Sequence, residues 1–332
     1  MDTFLVAITG LVAGAAGPMA IQRIGNGLGL IDRPNERSSH SVPTPRGGGI
    51  GIVAVTSAAA GLSGDYAFGL VLATIGLLGF FEDLLGLPAK LRLITQLGLA
   101  FLLAASTLGL PASGAEAALL VFWAVFIAGT ANFYNFMDGI NGMAGASGLV
   151  AFGLLSAFAY LFSPEHFAVS LLAALACLGF LPFNAPRARV FMGDVGSVFL
   201  GFLFASLALK MASSPLAFIC IAAFLATFYA DALTTVAARA ASGEDIYRAH
   251  RGHLYQYIAN ELGIPHWKVS FGYASVQLLT GALALLAFTM SARRFLLPGA
   301  LIVFSFVFAA AYRSIKSAPP KGEALGRTRG GI

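Results

Sequence analysis

Asn132, Asn135, Asp138 and Asn141 recur at three-residue intervals in the stretch NFYNFMDGINGMAG. On a helix, successive members of such a series lie about 60° apart, so these amide and carboxylate groups would leave one face together. Packing gives little reason to set four such groups at the end of an apolar run. Gly139 and Gly142 would loosen the backbone around Asp138. The series can offer several polar contacts to one ligand.

Four more clusters carry reactive groups. Glu82 and Asp83 end the apolar run in GFFEDLLGLPAK, where isolated charge is costly and usually functional. Adjacent carboxylates can ligate Mg²⁺ or divide metal-ligand and base roles between them. In FNAPRARVFMGDVGSVFLG, Asp194 stands between Gly193 and Gly196, just before an apolar helix. It can cap that helix through the exposed N–H groups, or act as a further magnesium-side carboxylate, and nearby Phe191 could stack on a base. In residues 32–49, DRPNERSSHSVPTPRGGG, prolines and three successive glycines force an irregular backbone able to approach a ligand closely; His40 and Arg46 lie there. The long connection 239–265 carries GEDIYRAHRGHLYQ, in which His250, Arg251 and His253 put three phosphate donors within four residues. Two histidines are too few for a metal site. Asp231, inside the apolar stretch TFYADALTT, is either structurally paired or functional. Carboxylates for a divalent cation, Gly-rich backbone, Arg and His donors and apolar walls form the combination that phosphoryl transfer needs.

A membrane scaffold must position these groups. The chain has 58% hydrophobic and only 11% charged residues, with a mean hydropathy of +0.82, whereas a soluble domain is roughly a quarter charged. Apolar runs predict spans near residues 3–22, 46–63, 66–81, 91–109, 117–134, 143–162, 167–184, 195–210, 214–238, 266–291 and 294–312. That makes an all-α polytopic membrane protein of about 11 (10–11) transmembrane helices. Of the 20 Lys and Arg, all but Lys210, Arg293 and Arg294 fall in the odd-numbered loops or the C-terminal end. The positive-inside rule therefore puts those loops and the C-terminus in the cytoplasm and the N-terminus in the periplasm. All five polar clusters lie on the same side, although only Lys and Arg entered the assignment. The expected cleft is cytoplasmic.

Residues 3–22 read as a first span rather than a signal peptide, because no Lys or Arg precedes them. Cys177 and Cys220 sit in apolar runs and read as core residues, not as a disulfide or zinc site. Nucleic acid is a poor partner, since the basic residues are spread over short loops. We expect one transmembrane domain, 1–318, with catalytic loops near 23–46, 82–92, 132–142, 184–194 and 239–265, and a flexible cytoplasmic tail, 319–332. The spacing of Gly10 and Gly14 permits helix association, and so a homodimer.

DRPNERSSHSVPTPRGGG, the acidic pair 82–83, NFYNFMDGING, FNAPRARVFMGD and HRGH also occur in an order, and between spans, that resembles the polyprenyl-phosphate N-acetylhexosamine-1-phosphate transferases, the family of WecA-type and MraY-type enzymes. The resemblance covers about residues 30–255. It implies that an undecaprenyl-phosphate oxygen attacks the β-phosphate of a UDP-N-acetylhexosamine with Mg²⁺ (Mn²⁺ as a substitute), releasing UMP, at the bacterial inner membrane. Carried over by position, Asp194 resembles the magnesium ligand, with Asp83 beside it, and Phe191 the uracil-stacking aromatic. Asn135, Asp138, Asn141 and Asn184 resemble nucleotide-side groups. Glu82 and Asp83 resemble the acidic pair at the lipid phosphate, with Asp138 a further catalytic candidate. His250, Arg251, His253, Arg46 and His40 would hold phosphate or sugar. Glu82 departs from the family's usual Asp, and Asn141 stands where many members have Asp. HRGH lacks the histidine triplet of the peptidoglycan enzymes, which implies initiation of an O-antigen or other surface polysaccharide. The rival reading is a secondary transporter of an anionic solute, but polar residues at mid-membrane and repeated halves are absent from the pattern. A membrane scaffold would have no need of five reactive loops.

Overall fold

A computed structural model describes residues 3–34, 39–244 and 251–317. Helix α1 (Thr3–Leu28) leads into two short antiparallel strands, β1 (Ile31–Asp32) and β2 (Thr44–Pro45), with Ile31 opposite Pro45. The helices that follow are α2 (Ile50–Leu62), α3 (Tyr66–Leu85), α4 (Ala89–Leu108), α5 (Gly114–Phe136), α6 (Met143–Phe162), α7 (Phe167–Asn184) and α8 (Asp194–Met211). Next come α9 (Pro215–Ala223), α10 (Ala226–Ala241), the one-turn α11 (Leu254–Gln256), α12 (His266–Thr289) and α13 (Leu296–Lys316).

The fold is the expected all-α polytopic one; of the expected 10–11 spans, the described residues give 9 helices long and apolar enough to cross a membrane, or up to 10 if the bent pair α9–α10 is one span. The expected span 214–238 is instead a broken pair, α9 and α10, bent by 86°. The break falls at Phe224–Leu225 without Gly or Pro, so hydropathy alone reads straight through it. Helix α2 has only 13 residues, about 20 Å at 1.5 Å per residue, short of a roughly 30 Å hydrocarbon core. The expected tail 319–332 lies outside the described residues.

Helix α8 is the centre of the bundle. Every residue from Val195 to Leu209 is buried, the condition expected of a helix apolar on all sides. Helices α3 and α5 pack on it. At Gly79 the α3 backbone comes so close that a Cβ would lie 2.6 Å from the Asp194 carbonyl oxygen. That contact delivers Asp83, one turn further along, to the first residues of α8. Gly10 and Gly14 turn toward α7, where a Cβ on Gly10 would meet Leu172 O at 3.1 Å. The small residues that suggested a homodimer are therefore spent on packing α1 against α7 within the chain. Cys177 and Cys220 are buried free thiols, as expected.

Because the helices alternate in direction, the ends of α1, α3, α5, α7 and α10 and the starts of α2, α4, α6, α8 and α12 share one end of the bundle. The described parts of all five polar clusters sit there.

Candidate active site

The site grows from the start of α8. Gly193 has φ +76°, a left-handed conformation that disfavours any side chain, and it turns the chain so that the first N–H groups of α8 point at Asp83. The Asp83 carboxylate accepts from the Asp194 N–H at 3.1 Å and the Val195 N–H at 3.0 Å. A negative group at a helix N-terminus is stabilised by the orphan donors and the helix dipole. Arg46 braces the same group: its guanidinium donates to the Asp83 carbonyl at 2.6 Å, and its Nε lies 3.8 Å from the carboxylate. Asp83 is 2% exposed.

Two loops hold Arg46 and Phe191 side by side. Phe191 N–H donates to Pro45 O at 2.8 Å, Gly48 N–H to Phe191 O at 2.9 Å, and Gly49 N–H to Met192 O at 2.9 Å. A Cβ at Gly48 would come within 2.8 Å of Val190. The glycine triplet, expected to approach a ligand, thus serves a close approach between two segments of the chain. His40 meets the Phe191 ring edge-on, 4.8 Å between centroids, with its Nε2 4.0 Å from Asp32.

Facing α8, Ser197 Oγ donates to Asn135 Oδ1 at 2.7 Å, which fixes that amide at the end of α5. The chain then turns through Asp138–Asn141. Tyr255 OH holds the turn at Phe136 O, 2.8 Å away, and Ser270 Oγ donates to Asn141 O at 2.8 Å. Asn184 ties it from behind, accepting from Gly142 N–H at 2.6 Å and donating to Val190 O at 3.0 Å.

These residues enclose a cavity of about 280 Å³ lined by Asp83, Asp138 and Asp194, by Asn135, Asn141 and Asn184, and by Arg46, His40, Phe191, Asp32, Gln256 and His266, among others. Burial, reinforced by the charges of Asp194 and Asp83, pushes the Asp138 carboxyl well above the ordinary carboxylate range. A cation placed among them would reverse that. Among the described residues no three His, Cys, Asp or Glu side chains form a self-sufficient metal cage. Mg²⁺ does not require one, since it is commonly held by one or two carboxylates with waters and substrate phosphates. The oxygen-rich wall fits that ion.

A second, wider cavity of about 960 Å³ adjoins the first through His40, Asn141, Phe191 and His266, and its far wall carries Arg187, Arg189 and Arg251. On the lipid-facing side, Val121, Val125, Phe126 and Phe133 of α5 and Tyr229 and Leu233 of α10 line an apolar groove of about 680 Å³. Phe133 stands two residues before Asn135, so the groove reaches the same turn of α5 as the acidic cavity, on another face of that helix.

Residues 66–212 match the model of glycosyl transferase family 4. The chain is 27% identical to decaprenyl-phosphate N-acetylglucosaminephosphotransferase of Mycobacterium tuberculosis, over 80% of its own length and 78% of that protein. It is 26% identical to phospho-N-acetylmuramoyl-pentapeptide-transferase of Staphylococcus aureus, over 80% of its length and 91% of that protein. The chain is similar to WecA/MraY-type proteins. Its matched segment runs from α3 through α8, the helices that carry Glu82, Asp83, Asn135, Asp138, Asn184 and Asp194.

In this WecA/MraY-like chain, nine of the thirteen expected site residues line the acidic cavity: Asp83, Asp138, Asp194, Asn135, Asn141, Asn184, Phe191, Arg46 and His40. Glu82 does not. It faces Arg92 at 3.3 Å, and Arg92 in turn holds Asp194 at 2.7 Å. Arg251 lines the wider cavity. His253 is a correction to the expected phosphate or sugar contact: it is 3% exposed, and its Nδ1 lies 3.3 Å from Asp231. Asp231 also accepts from Tyr273 OH at 2.8 Å and from the N–H groups of Leu254 and Tyr255 at 3.0 and 3.2 Å. Its open role resolves to structural pairing, which anchors the segment that returns Tyr255 and Gln256 to the cavity. His250 lies outside the described residues. Asn132 leaves the three-residue series for α4, donating to Gln96 Oε1 at 2.6 Å. Sequence reasoning overlooked Arg92, Gln256 and His266. Arg92 follows the acidic pair across one short turn, a usable signal, whereas His266 and Gln256 come close only through tertiary packing.

Proposed function

We propose that the protein transfers an N-acetylhexosamine-1-phosphate from a UDP-sugar to undecaprenyl or another polyprenyl phosphate, at the start of surface-polysaccharide assembly. The observation that carries this reading is the convergence of Asp83, Asp138 and Asp194 on one cavity beside a lipid-facing apolar groove. The named activities of the relatives, phosphosugar transfer in each case, support it. A cavity at the helix ends, rather than at mid-membrane, favours a transferase over a carrier of anionic solutes. The excess of basic residues at that end supports a cytoplasmic active face in a bacterial inner membrane, with the N-terminus outside.

An acceptor phosphate oxygen attacks the donor's β-phosphorus. The bond from that phosphorus to the oxygen bridging it to the α-phosphorus breaks, and UMP leaves with the electron pair. Asp194 and Asp83 would hold Mg²⁺, which when bound neutralises charge on the pyrophosphate. Both Asp83 oxygens accept N–H groups of α8, and one Asp194 oxygen accepts from Arg92 at 2.7 Å, so an ion held here would share these carboxylates with those donors. Phe191 offers its ring to the base, and Asn135 and Asn141 offer amides to the nucleotide. The polyprenyl chain lies in the α5–α10 groove with its phosphate toward Asn135. Positioning and charge stabilisation supply most of the rate.

The test supplies membranes containing the protein with undecaprenyl phosphate, Mg²⁺ and a panel of labelled UDP-N-acetylhexosamines, and follows UMP release and labelled lipid. Absence of both with every sugar overturns the proposal.

A further inference from the structure

A further apolar groove, of about 650 Å³, opens between α6, α7 and α12 and shares no lining residue with the α5–α10 groove. Leu149, Leu178, Pro182, Ala185, Trp267 and Phe271 line it. It occupies the last turns of α7 and the first turns of α12, hence the level of the headgroups and upper acyl chains at the basic end of the bundle. Trp267 is 44% exposed, an amphipathic ring at the depth where membrane proteins place tryptophan. Lys268 sets its ammonium 5.6 Å from that ring, and Arg189 hangs over the other rim, donating to Pro182 O at 2.9 Å with its guanidinium 5.1 Å from the Phe183 ring. Among the described residues no charged side chain lines the groove itself; Arg189 and Lys268 stand at its edges, beside Pro182 and Trp267.

We infer that this groove is a binding site for one anionic phospholipid, its acyl chain along α7 and α12 and its phosphate between Arg189 and Lys268. A zwitterionic lipid could fill the apolar part equally well, but only a net negative headgroup complements a rim that is cationic on both sides. A second copy of the chain fits poorly, because a two-fold contact through this face would bring the same basic rims together. The acceptor lipid of the proposed reaction is placed in the α5–α10 groove, not here, where Ala185 abuts Gly142 so that a Cβ on Gly142 would lie 3.2 Å from that of Ala185. The site instead backs the turn that carries Asp138 and Asn141, which Ser270 of α12 and Asn184 of α7 tie in place.

The chain's two tryptophans make the test direct. Trp123 is 6% exposed, within an aromatic cluster, and Trp123→Phe leaves Trp267 as the sole reporter. The full chain is reconstituted in phosphatidylcholine vesicles containing a fixed fraction of acyl-brominated phosphatidylglycerol or, separately, brominated phosphatidylcholine. Bromine quenches an indole only at contact. At about 1 kcal/mol for each basic side chain near an anionic headgroup, the brominated phosphatidylglycerol should compete for Trp267 at least about fivefold more effectively. Arg189→Gln and Lys268→Gln together should abolish the preference. Lys268→Gln alone, an exposed change compatible with folding, should weaken it. Equal quenching by the two lipids overturns the inference, as does a preference that survives both substitutions or displacement of the brominated lipid by stoichiometric undecaprenyl phosphate. None of these readouts requires transferase activity.

Discussion

Replacing Asp83 by Asn tests the central geometric claim, that this carboxylate acts by fixing the start of α8. Its two oxygens accept N–H groups from Asp194 and Val195. Hydrogen bonds to a charged partner contribute roughly 1.5–3 kcal/mol each, and an anion at a helix N-terminus adds about 0.3–2 kcal/mol. Asparagine keeps one carbonyl oxygen, loses the charge and turns an NH₂ toward the second N–H. The expected loss is therefore about 2–4 kcal/mol. At roughly 2–4 °C per kcal/mol for a chain of this size class, Tm in detergent should fall by about 5–10 °C. Asp194 leads the same helix, and a displacement of about 1 Å at a reacting group can cost on the order of 100-fold in turnover. Transfer assayed well below the lowered Tm should drop by about that factor, with Asp83→Glu partly restoring Tm but not rate. An unchanged Tm with abolished transfer would mean that Asp83 acts on substrate rather than through α8. An unchanged Tm with full transfer would refute the tie altogether.

Phe191→Ala should raise the KM for the UDP-sugar about 5- to 100-fold with a smaller change in kcat, since base stacking contributes about 1–3 kcal/mol; an unchanged donor KM removes Phe191 from the base site. Asp138→Asn addresses the raised carboxyl. Because its pKa in the fold lies above the unfolded value, its stabilising contribution is complete below the ordinary carboxylate range and is lost as pH rises through the raised value. Metal-free wild type should therefore lose Tm between acid and alkaline pH, Asp138→Asn should flatten that slope, and superimposable slopes would contradict it. Asp231→Asn leaves His253, Tyr273 and two backbone N–H groups facing an amide, and should lower stability by about 3–5 kcal/mol and expose residues 251–256 to proteolysis. Wild-type protease resistance in this variant would deny Asp231 its anchoring role.

Most of the site was legible because its chemistry is expensive in lipid. Glu82, Asp83, Asp138 and Asp194 stand out against an apolar background, and charge bias alone put them on one side. What escaped the sequence was which partner each group meets. Nothing in HRGH tells that His253 turns inward, where it meets Asp231, 22 residues earlier. Asn132 and Asn135 share one spacing, but Gln96 captures the first and Ser197 the second. Periodicity places a residue on a face; the neighbouring helix decides what that face touches. The missed bend at Phe224–Leu225 has the same origin, since no local breaker marks it and the angle is set by what α9 and α10 pack against.

The exceptions to the charge bias turn out to support the scaffold. Lys210, at the far end of α8, lies 2.7 Å from Asp65 and 4.9 Å from the Phe68 ring, both at the start of α3. Burial alone would raise the Asp65 carboxyl, but the Lys210 ammonium and the Phe68 N–H outweigh it and hold it below its ordinary value. A cation in the last turn of a helix is also favoured by the dipole. Helices α3 and α8 are thus pinned to each other at both ends, by Lys210 and Asp65 on one side of the bundle and by Asp83 and the first N–H groups of α8 on the other. Between the pins, Gly79 lets the two backbones touch. A rigid pair of this kind allows Asp83 and Asp194 to keep one spacing while the loops around them exchange ligands. Arg294, a second exception, donates to Phe288 O and lies 4.4 Å from the Phe288 ring, so its charge is held by local contacts and sets no orientation. The rule of basic loops therefore rests on the other basic residues, of which Arg46 lines the acidic cavity and Arg187, Arg189 and Arg251 line the wider one beside it.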